Sequence, residues 1–257
     1  MEIIIIAIVA FLAAILTFFS GFGLGTLLTP VMMIFFPVEL AIGLTAVVHL
    51  FNNLFKLILV GKYGNLQVIL RFGIPAILAA ILGSYLLIHI SDLQPLYSYH
   101  IGSRVFEISP VKLIISILLI IFASIDLIPY FEKLQFGKDK LPIGGLLSGF
   151  FGGLSGNQGA LRSAFLIKAG LSKEAFIGTA VIVSISVDFT RLFVYSTTFT
   201  SLIITDNWLI ITTTTLSAIL GAYIGNQLLK KVTVAFIQKL VAIMLILISI
   251  ALAAGLL

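Results

Sequence analysis

The sequence has 257 residues, of which 60% are hydrophobic and only 10% are charged. Soluble domains carry about 25% charged residues, so the composition excludes a water-soluble globular protein and predicts an integral membrane protein. The chain has no cysteine and a formal net charge of +5. This excludes disulfides and thiolate chemistry, and we attribute the positive charge to lysines on the cytoplasmic side rather than to a nucleic-acid partner.

Six apolar segments reach the roughly 20 residues that a membrane-spanning helix needs. They are 40–60, 67–90, 111–131, 174–198, 208–229 and 234–256. The N-terminal stretch begins with Glu2 and has no basic start, so we interpret it as a membrane element rather than a cleaved signal peptide.

Two further apolar regions, 3–36 and 141–169, are interrupted by glycine-rich stretches at 20–30 and 152–159. Each interruption would leave two helical pieces of roughly 10–17 residues, which are too short for an untilted span. We therefore predict a re-entrant hairpin in each region.

The two broken regions also indicate an internal repeat. A shift of 134 residues places Gly25 on Gly159 and brings the predicted spans into the same order. The predicted fold class is therefore all-α: a polytopic integral membrane protein with two repeats, 1–131 and 132–257. Each repeat has a Gly-broken helical hairpin and three transmembrane helices.

The basic residues predict the topology through the positive-inside rule. If each hairpin enters and leaves on one side, the cytoplasmic loops hold Lys62, Lys133, Lys138, Lys140, Lys168, Lys173, Lys230 and Lys231. The outer side holds Arg104, with Lys112 just beyond, and both termini. Each repeat crosses the membrane three times, which is an odd number, so the second repeat would be inverted relative to the first. The expected location is the cell membrane.

The paired glycine breaks predict an anion site near the bilayer midplane. A half-helix N-terminus offers free N–H groups and a partial positive charge, and glycine allows the backbone to approach a ligand closely. The alternative is that these glycines only permit close helix packing.

Arg162 is the sharpest candidate for an anion-binding side chain. It follows the second break and lies four residues after Gln158, on the same helical face. A guanidinium group matches the oxygens of a sulfite, sulfonate or carboxylate ion.

A polar stripe on segment 40–60 is the second candidate. His49, Asn52, Asn53 and Lys56 follow the i, i+3, i+4, i+7 spacing of one helical face. They could line a cavity or hydrogen-bond between helices, and His49 is a candidate for proton coupling.

Three ionisable residues allow more than one interpretation. Lys56 and Arg191 lie near helix ends, where long side chains can extend to the interface, and Lys56 is therefore not assigned to the site. Asp188 precedes Arg191 by three residues and lies on the same helical face, so the two could form a structural ion pair; alternatively, Asp188 carries a proton or cation.

A catalytic interpretation also exists for the second break. Gly153-Leu154-Ser155-Gly156 matches the G-x-S-G motif of rhomboid proteases, whose serine needs a base within reach. The three histidines, His49, His89 and His100, all precede Ser155. We therefore expect no enzyme, no cofactor and no metal site, and the absence of a GxxxxGK[ST] motif excludes a P-loop ATPase.

The sequence resembles the TauE/SafE sulfite exporter family (toluenesulfonate uptake permease group) over nearly its whole length. The resemblance rests on FFSGFGLGTLLTPVMMIFF, LSGNQGALRSAFLIKAGLSKEAFIGTA and ELAIGLTA. It implies a plasma-membrane carrier of sulfur-containing anions, with the anion between the two Gly-rich turns. Carried over by position, those turns supply Gly23, Gly25, Thr26, Ser155, Gly156, Asn157, Gln158 and Gly159.

The sequence departs from that pattern where Asn157 and Gln158 stand at glycine positions and Ala164 stands opposite Pro30. The expected function is that of a secondary transporter that exports small organosulfur oxyanions. It would work by alternating access with proton coupling. The alternatives are an anion channel and an intramembrane serine hydrolase. The expected partners are a small anion and the lipid bilayer, and the sequence indicates no oligomeric state.

Overall fold

A computed structural model describes residues 1–20, 23–127, 136–200, 205–228 and 234–257. The α-helices in these ranges are α1 Glu2–Ser20, α2 Gly25–Met32, α3 Val38–Val60, α4 Leu66–Ser91, α5 Pro110–Leu127, α6 Leu141–Ser155, α7 Gly159–Leu166, α8 Lys173–Thr200, α9 Trp208–Leu228 and α10 Val234–Ala253. Short 3₁₀ turns occur at Gly61–Tyr63, Lys138–Lys140 and Ile167–Ala169. The prediction of a helical membrane fold is confirmed.

A β-hairpin between α4 and α5 departs from the predicted all-α class. Strands β1 (Tyr97–Ile101) and β2 (Arg104–Ile108) pair antiparallel between the predicted spans 67–90 and 111–131. The Tyr99 hydroxyl donates a hydrogen bond of 2.5 Å to the carbonyl oxygen of Ala254. The hairpin is thereby attached to the end of α10.

Within the described residues, four helices are long and apolar enough to cross a membrane by length and composition: Val38–Tyr63, Leu66–Ser91, Lys173–Thr198 and Trp208–Gln227. They coincide with four of the six predicted spans. The predicted spans 111–131 and 234–256 correspond to α5 and α10, whose apolar parts in the described residues are shorter, Pro110–Ile125 and Ala242–Ala253.

The broken regions differ from the expected pair of similar short pieces. In each region a long helix, α1 with 19 residues or α6 with 15, is followed by a helix of only eight residues, α2 or α7. At 1.5 Å per residue, an eight-residue helix is about 12 Å long, less than half of a bilayer core of about 30 Å. The 15 residues of α6 lie within the expected range and also fall short of the bilayer core, whereas α1 is longer and α2 and α7 are shorter than expected.

The helix contacts follow one pattern when α1–α5 are exchanged in order for α6–α10. Helix α1 packs against α9, and the matching pair α6 and α4 also pack together. The same exchange relates the pair α3–α9 to the pair α8–α4 and leaves the pairs α3–α8 and α5–α10 unchanged. Each of these packed pairs is thus related by the exchange either to another packed pair or to itself.

Small residues bring α4 and α6 into backbone contact. A Cβ atom placed on Gly149 would lie 2.5 Å from the Cα of Ala76 and closer still to its carbonyl oxygen. Gly145 and Gly153, four residues to either side, face other backbone carbonyls of α4 in the same way. Gly153 was predicted to belong to the break; instead it lies within α6, and it serves the close-packing alternative.

Candidate functional site

Each hairpin turns at a glycine with a positive backbone φ. These are Gly23, with φ 83°, and Gly156, with φ 78°, a region that side chains with a Cβ rarely adopt. The helices that follow, α2 and α7, have no side-chain hydrogen bond at the N-cap. The residues at these N-caps, Leu24 and Gln158, therefore do not supply the usual capping side chain.

The two turns touch each other at the centre of the molecule. A Cβ atom placed on Gly25 would lie 3.1 Å from the carbonyl oxygen of Gly156. A Cβ atom placed on Gly23 would lie 3.3 Å from Nε2 of His49 on α3. The turn of the first half thus lies between the turn of the second half and the middle of α3.

The polar stripe of α3 faces the protein interior. His49, Asn52, Asn53 and Lys56 are all buried, which agrees with the predicted spacing on one face. Lys56 is only 4% exposed, so its side chain does not extend to an interface. The sequence predicts that the Lys56 side chain can extend to the interface. In the structure it is buried together with the other three residues of the stripe.

Asp188 on α8 joins polar groups from α3, from α8 itself and from the turn between α6 and α7. Its Oδ2 accepts a hydrogen bond of 2.6 Å from Nδ1 of His49 and one of 3.4 Å from Nδ2 of Asn53. Its Oδ1 accepts hydrogen bonds from Arg191, at 2.8 Å from Nη2 and 3.1 Å from Nε, and from Nε2 of Gln158 at 3.3 Å. Asp188 and Arg191 therefore form a buried ion pair that is also connected to the first half.

Arg162 lies on the other side of this cluster, on α7. Its Nη1 donates a hydrogen bond of 2.5 Å to Oγ of Ser184, one turn before Asp188 on α8. Ser184 in turn donates to the carbonyl oxygen of Ala180 at 2.9 Å. This orients the guanidinium group between α7 and α8.

A cavity of about 30 Å³ lies between these groups, which is room for one or two water molecules. Its polar lining includes Gly23, His49, Asn53, Lys56, Arg162 and Ser184, and its apolar lining includes Phe18, Phe176 and Val181. The lining positions run from the middle of α3 to its Lys62 end, and from the Lys173 end of α8 to its middle. Beyond Asp188 in the opposite direction, α8 carries Arg191 and Tyr195, both fully buried.

Positive charge exceeds negative charge in this centre. Among the side chains that the structure describes, the buried basic groups are Lys56, Arg162 and Arg191, and the buried acidic group is Asp188. Burying charge without compensation costs several kcal/mol. The arrangement is therefore suited to a negatively charged guest.

The predicted site residues divide into two groups. Gly23, His49, Asn53 and Arg162 line the cavity. The others are buried without belonging to the lining: Asn52 on α3, and Gly25, Thr26, Ser155, Gly156, Asn157, Gln158 and Gly159 in or next to the two turns.

Several polar atoms around the turns lack hydrogen-bond partners in the described structure. Both amide atoms of Asn52 and of Asn157, and Oε1 of Gln158, are of this kind. The hydroxyl of Ser155 instead donates to the carbonyl oxygen of Phe151 at 2.9 Å and accepts from the backbone N–H of Asn157 at 3.4 Å. Ser155 therefore makes no hydrogen bond to a histidine among the described residues.

Sequence reasoning did not assign Lys56 and Ser184 to the site. Lys56 belongs to the polar stripe, so its spacing carried the signal. Ser184 lies four and seven residues before Asp188 and Arg191, and these three positions repeat the spacing of His49, Asn53 and Lys56. That parallel stripe is the signal by which Ser184 could have been found.

The fold and this centre define a multi-pass membrane protein with a buried, basic cavity between its helices. The family comparison is specific. The model of the family described as sulfite exporter TauE/SafE matches residues 6–252, and the chain belongs to this family of membrane transporters. The resemblance seen in the sequence is confirmed. No curated protein and no solved structure matched the chain.

Proposed function

We propose that the protein is a secondary transporter that exports small organosulfur oxyanions, such as sulfite or sulfonates, across the cell membrane. The observation that carries this proposal is the excess of buried positive charge around the cavity between the two glycine turns. Family membership supports the sulfur-containing substrate class. The proposed protein is a carrier and not an enzyme.

Alternating access is the mechanism that best fits the asymmetry of the centre. The cavity extends toward the helix ends at Lys62 and Lys173, while Arg191 and Tyr195 fill the opposite side. The exchangeable packing of the halves supports two inverted repeats, for which this asymmetry can be reversed by moving one half against the other. The open side would be cytoplasmic, and both termini would lie outside.

The substrate would bind where the turns and α3 meet. Arg162 would pair with the oxyanion, and the N-termini of α2 and α7 would orient N–H groups toward it. The amides of Asn52, Asn53, Asn157 and Gln158 would hydrogen-bond its oxygens. The turns would contribute backbone at Gly23, Gly25, Thr26, Ser155, Gly156 and Gly159.

Proton coupling would use the His49–Asp188 contact. When Nδ1 of His49 donates to Asp188, its Nε2 is the unprotonated nitrogen; this atom lies 3.4 Å from Nδ2 of Asn53 and faces Gly23 at the cavity. A proton taken up at Nε2 would add positive charge beside the bound anion. Symport or exchange with protons would then follow from the same movement that carries the anion.

Two other functions fit the observations less well. An anion channel would need a continuous path, whereas fully buried side chains follow Asp188 on α8. An intramembrane serine hydrolase would need a base beside Ser155, whose hydroxyl is bonded to its own helix.

The test is anion flux into proteoliposomes that contain the purified protein. We expect saturable flux of sulfite or sulfoacetate, and none of taurine or a simple carboxylate. Arg162→Ala should reduce flux at least about tenfold because one of the cavity's charges is lost, whereas Arg104→Ala on the exposed hairpin should match the wild type. Flux that does not saturate would favour the channel, and full flux in Arg162→Ala would remove Arg162 from the site.

The same vesicles test the coupling. An imposed proton gradient should change the rate of sulfite flux in the wild type, and His49→Gln should remove this response. A response that persists in His49→Gln would show that the proton moves elsewhere.

A further inference from the structure

Lys56 differs from the other buried cations of the centre in what surrounds its charge. Its ammonium group lies 5.2 Å from the centre of the Phe18 ring. It makes no hydrogen bond and no salt bridge to the residues that the structure describes. Lys56 is nevertheless buried, at 4% exposure, and lines the cavity. Its charge is therefore directed at the space that a guest would occupy.

Comparison with Arg191 shows what Lys56 lacks. The residue three positions before Arg191 is Asp188, whose carboxylate holds the guanidinium group at 2.8 Å. The residue three positions before Lys56 is Asn53, which has the same shape as aspartate but no charge. The positive charge of Arg191 is therefore matched within α8, whereas that of Lys56 is not matched within α3.

The charges on the cavity wall add to this difference. Two basic side chains, Lys56 and Arg162, line the cavity, and its described lining contains no Asp or Glu. Asp188 lies behind His49 and is already bonded to Arg191. A singly charged anion would balance only one of the two lining charges, whereas a doubly charged anion would balance both.

We propose that this site selects doubly charged small oxyanions over singly charged ones of the same shape, and that Lys56 supplies the second positive charge. The inference rests on the proposed transport function and specifies its substrate class. Sulfite in its dianionic form belongs to this class, whereas a simple alkylsulfonate does not. In a buried site, one additional charge pair changes affinity by roughly tenfold or more.

The test uses competition against the uptake of radiolabelled sulfite by proteoliposomes. The competitors are sulfate and methanesulfonate, which share a tetrahedral shape and differ by one charge. In the wild type we expect sulfate to inhibit at a concentration at least about tenfold lower than methanesulfonate. Lys56→Gln should bring the two inhibitory concentrations close together, and Lys56→Arg should preserve the difference.

Two controls make the result specific. Lys62→Gln removes an exposed lysine in the 3₁₀ turn that follows the same helix and should behave as the wild type. Lys56→Met removes the charge with a side chain of similar length, so it should reproduce Lys56→Gln if charge is the cause.

The outcomes separate this inference from the proposed function. Sulfite uptake with equal competition by both ions, or with none by either, would overturn the inference alone. An equal loss of affinity for both ions in Lys56→Gln would also overturn it, because Lys56 would then act without regard to charge. Wild-type vesicles that take up no sulfite beyond protein-free liposomes would overturn the proposed function and the inference with it.

Discussion

Replacing Gly149 by alanine should separate helices α4 and α6. The new methyl carbon would lie 2.5 Å from the Cα of Ala76, whereas carbon atoms pack at about 3.5–4.0 Å. Because the obstacle is backbone, no side-chain rotation relieves it, and the helices must move apart by about 1 Å. A gap of that size removes a quarter to a half of each dispersion contact, including those at Gly145 and Gly153.

We expect Gly149→Ala to cost about 1–3 kcal/mol or more. The matched control is Gly73→Ala on α4, where the new methyl carbon would lie 3.7 Å from Val183 in ordinary contact. That change should be neutral or stabilise the helix by up to about 1 kcal/mol. The measurement is the midpoint of thermal denaturation in detergent, followed by size-exclusion chromatography. Equal midpoints for the two variants would refute the close-packing argument.

Two further predictions test the charge centre and the topology. Asp188→Asn should destabilise the protein by about 3–5 kcal/mol because Arg191, which is 0% exposed, loses its counter-charge. Adding Arg191→Gln to this variant should recover part of that loss. If the decreases in denaturation midpoint caused by the two substitutions are strictly additive, the ion pair is not what stabilises these residues. Since the chain has no cysteine, Lys62→Cys and Asp206→Cys can each be labelled alone on intact cells with a membrane-impermeant maleimide. Inverted repeats place these corresponding turns on opposite sides, so only Asp206→Cys should react, and labelling of both would indicate parallel repeats.

Local spacing in the sequence predicted the parts of the site that lie on one helix. The burial of His49, Asn52 and Asn53 followed from a 3.6-residue period, and the Asp188–Arg191 ion pair followed from a separation of three. The bonds from His49 and Asn53 to Asp188 join residues 139 and 135 positions apart. No local pattern specifies such a pair, so the connection between the halves came only from the structure.

The glycines show a second limit of sequence reasoning. A glycine-rich run is compatible with both a chain reversal and a close helix contact, because both need a residue without a side chain. Within one such run, Gly153 packs against α4 and Gly156 makes the turn. Gly153 has the packing role because α4 lies against it, and the residues of α4 that it contacts stand about 70 positions earlier in the sequence.

The bond between His49 and Asp188 has a consequence for biosynthesis. At about 5–20 residues per second, the ribosome needs roughly 7–28 s to add the 139 residues that separate them. For that time, an imidazole, two amides and an ammonium group on α3 reside in the membrane without the carboxylate that will bind two of them. The first half of the nascent chain must therefore be sheltered by the insertion machinery, or by water, until α8 arrives.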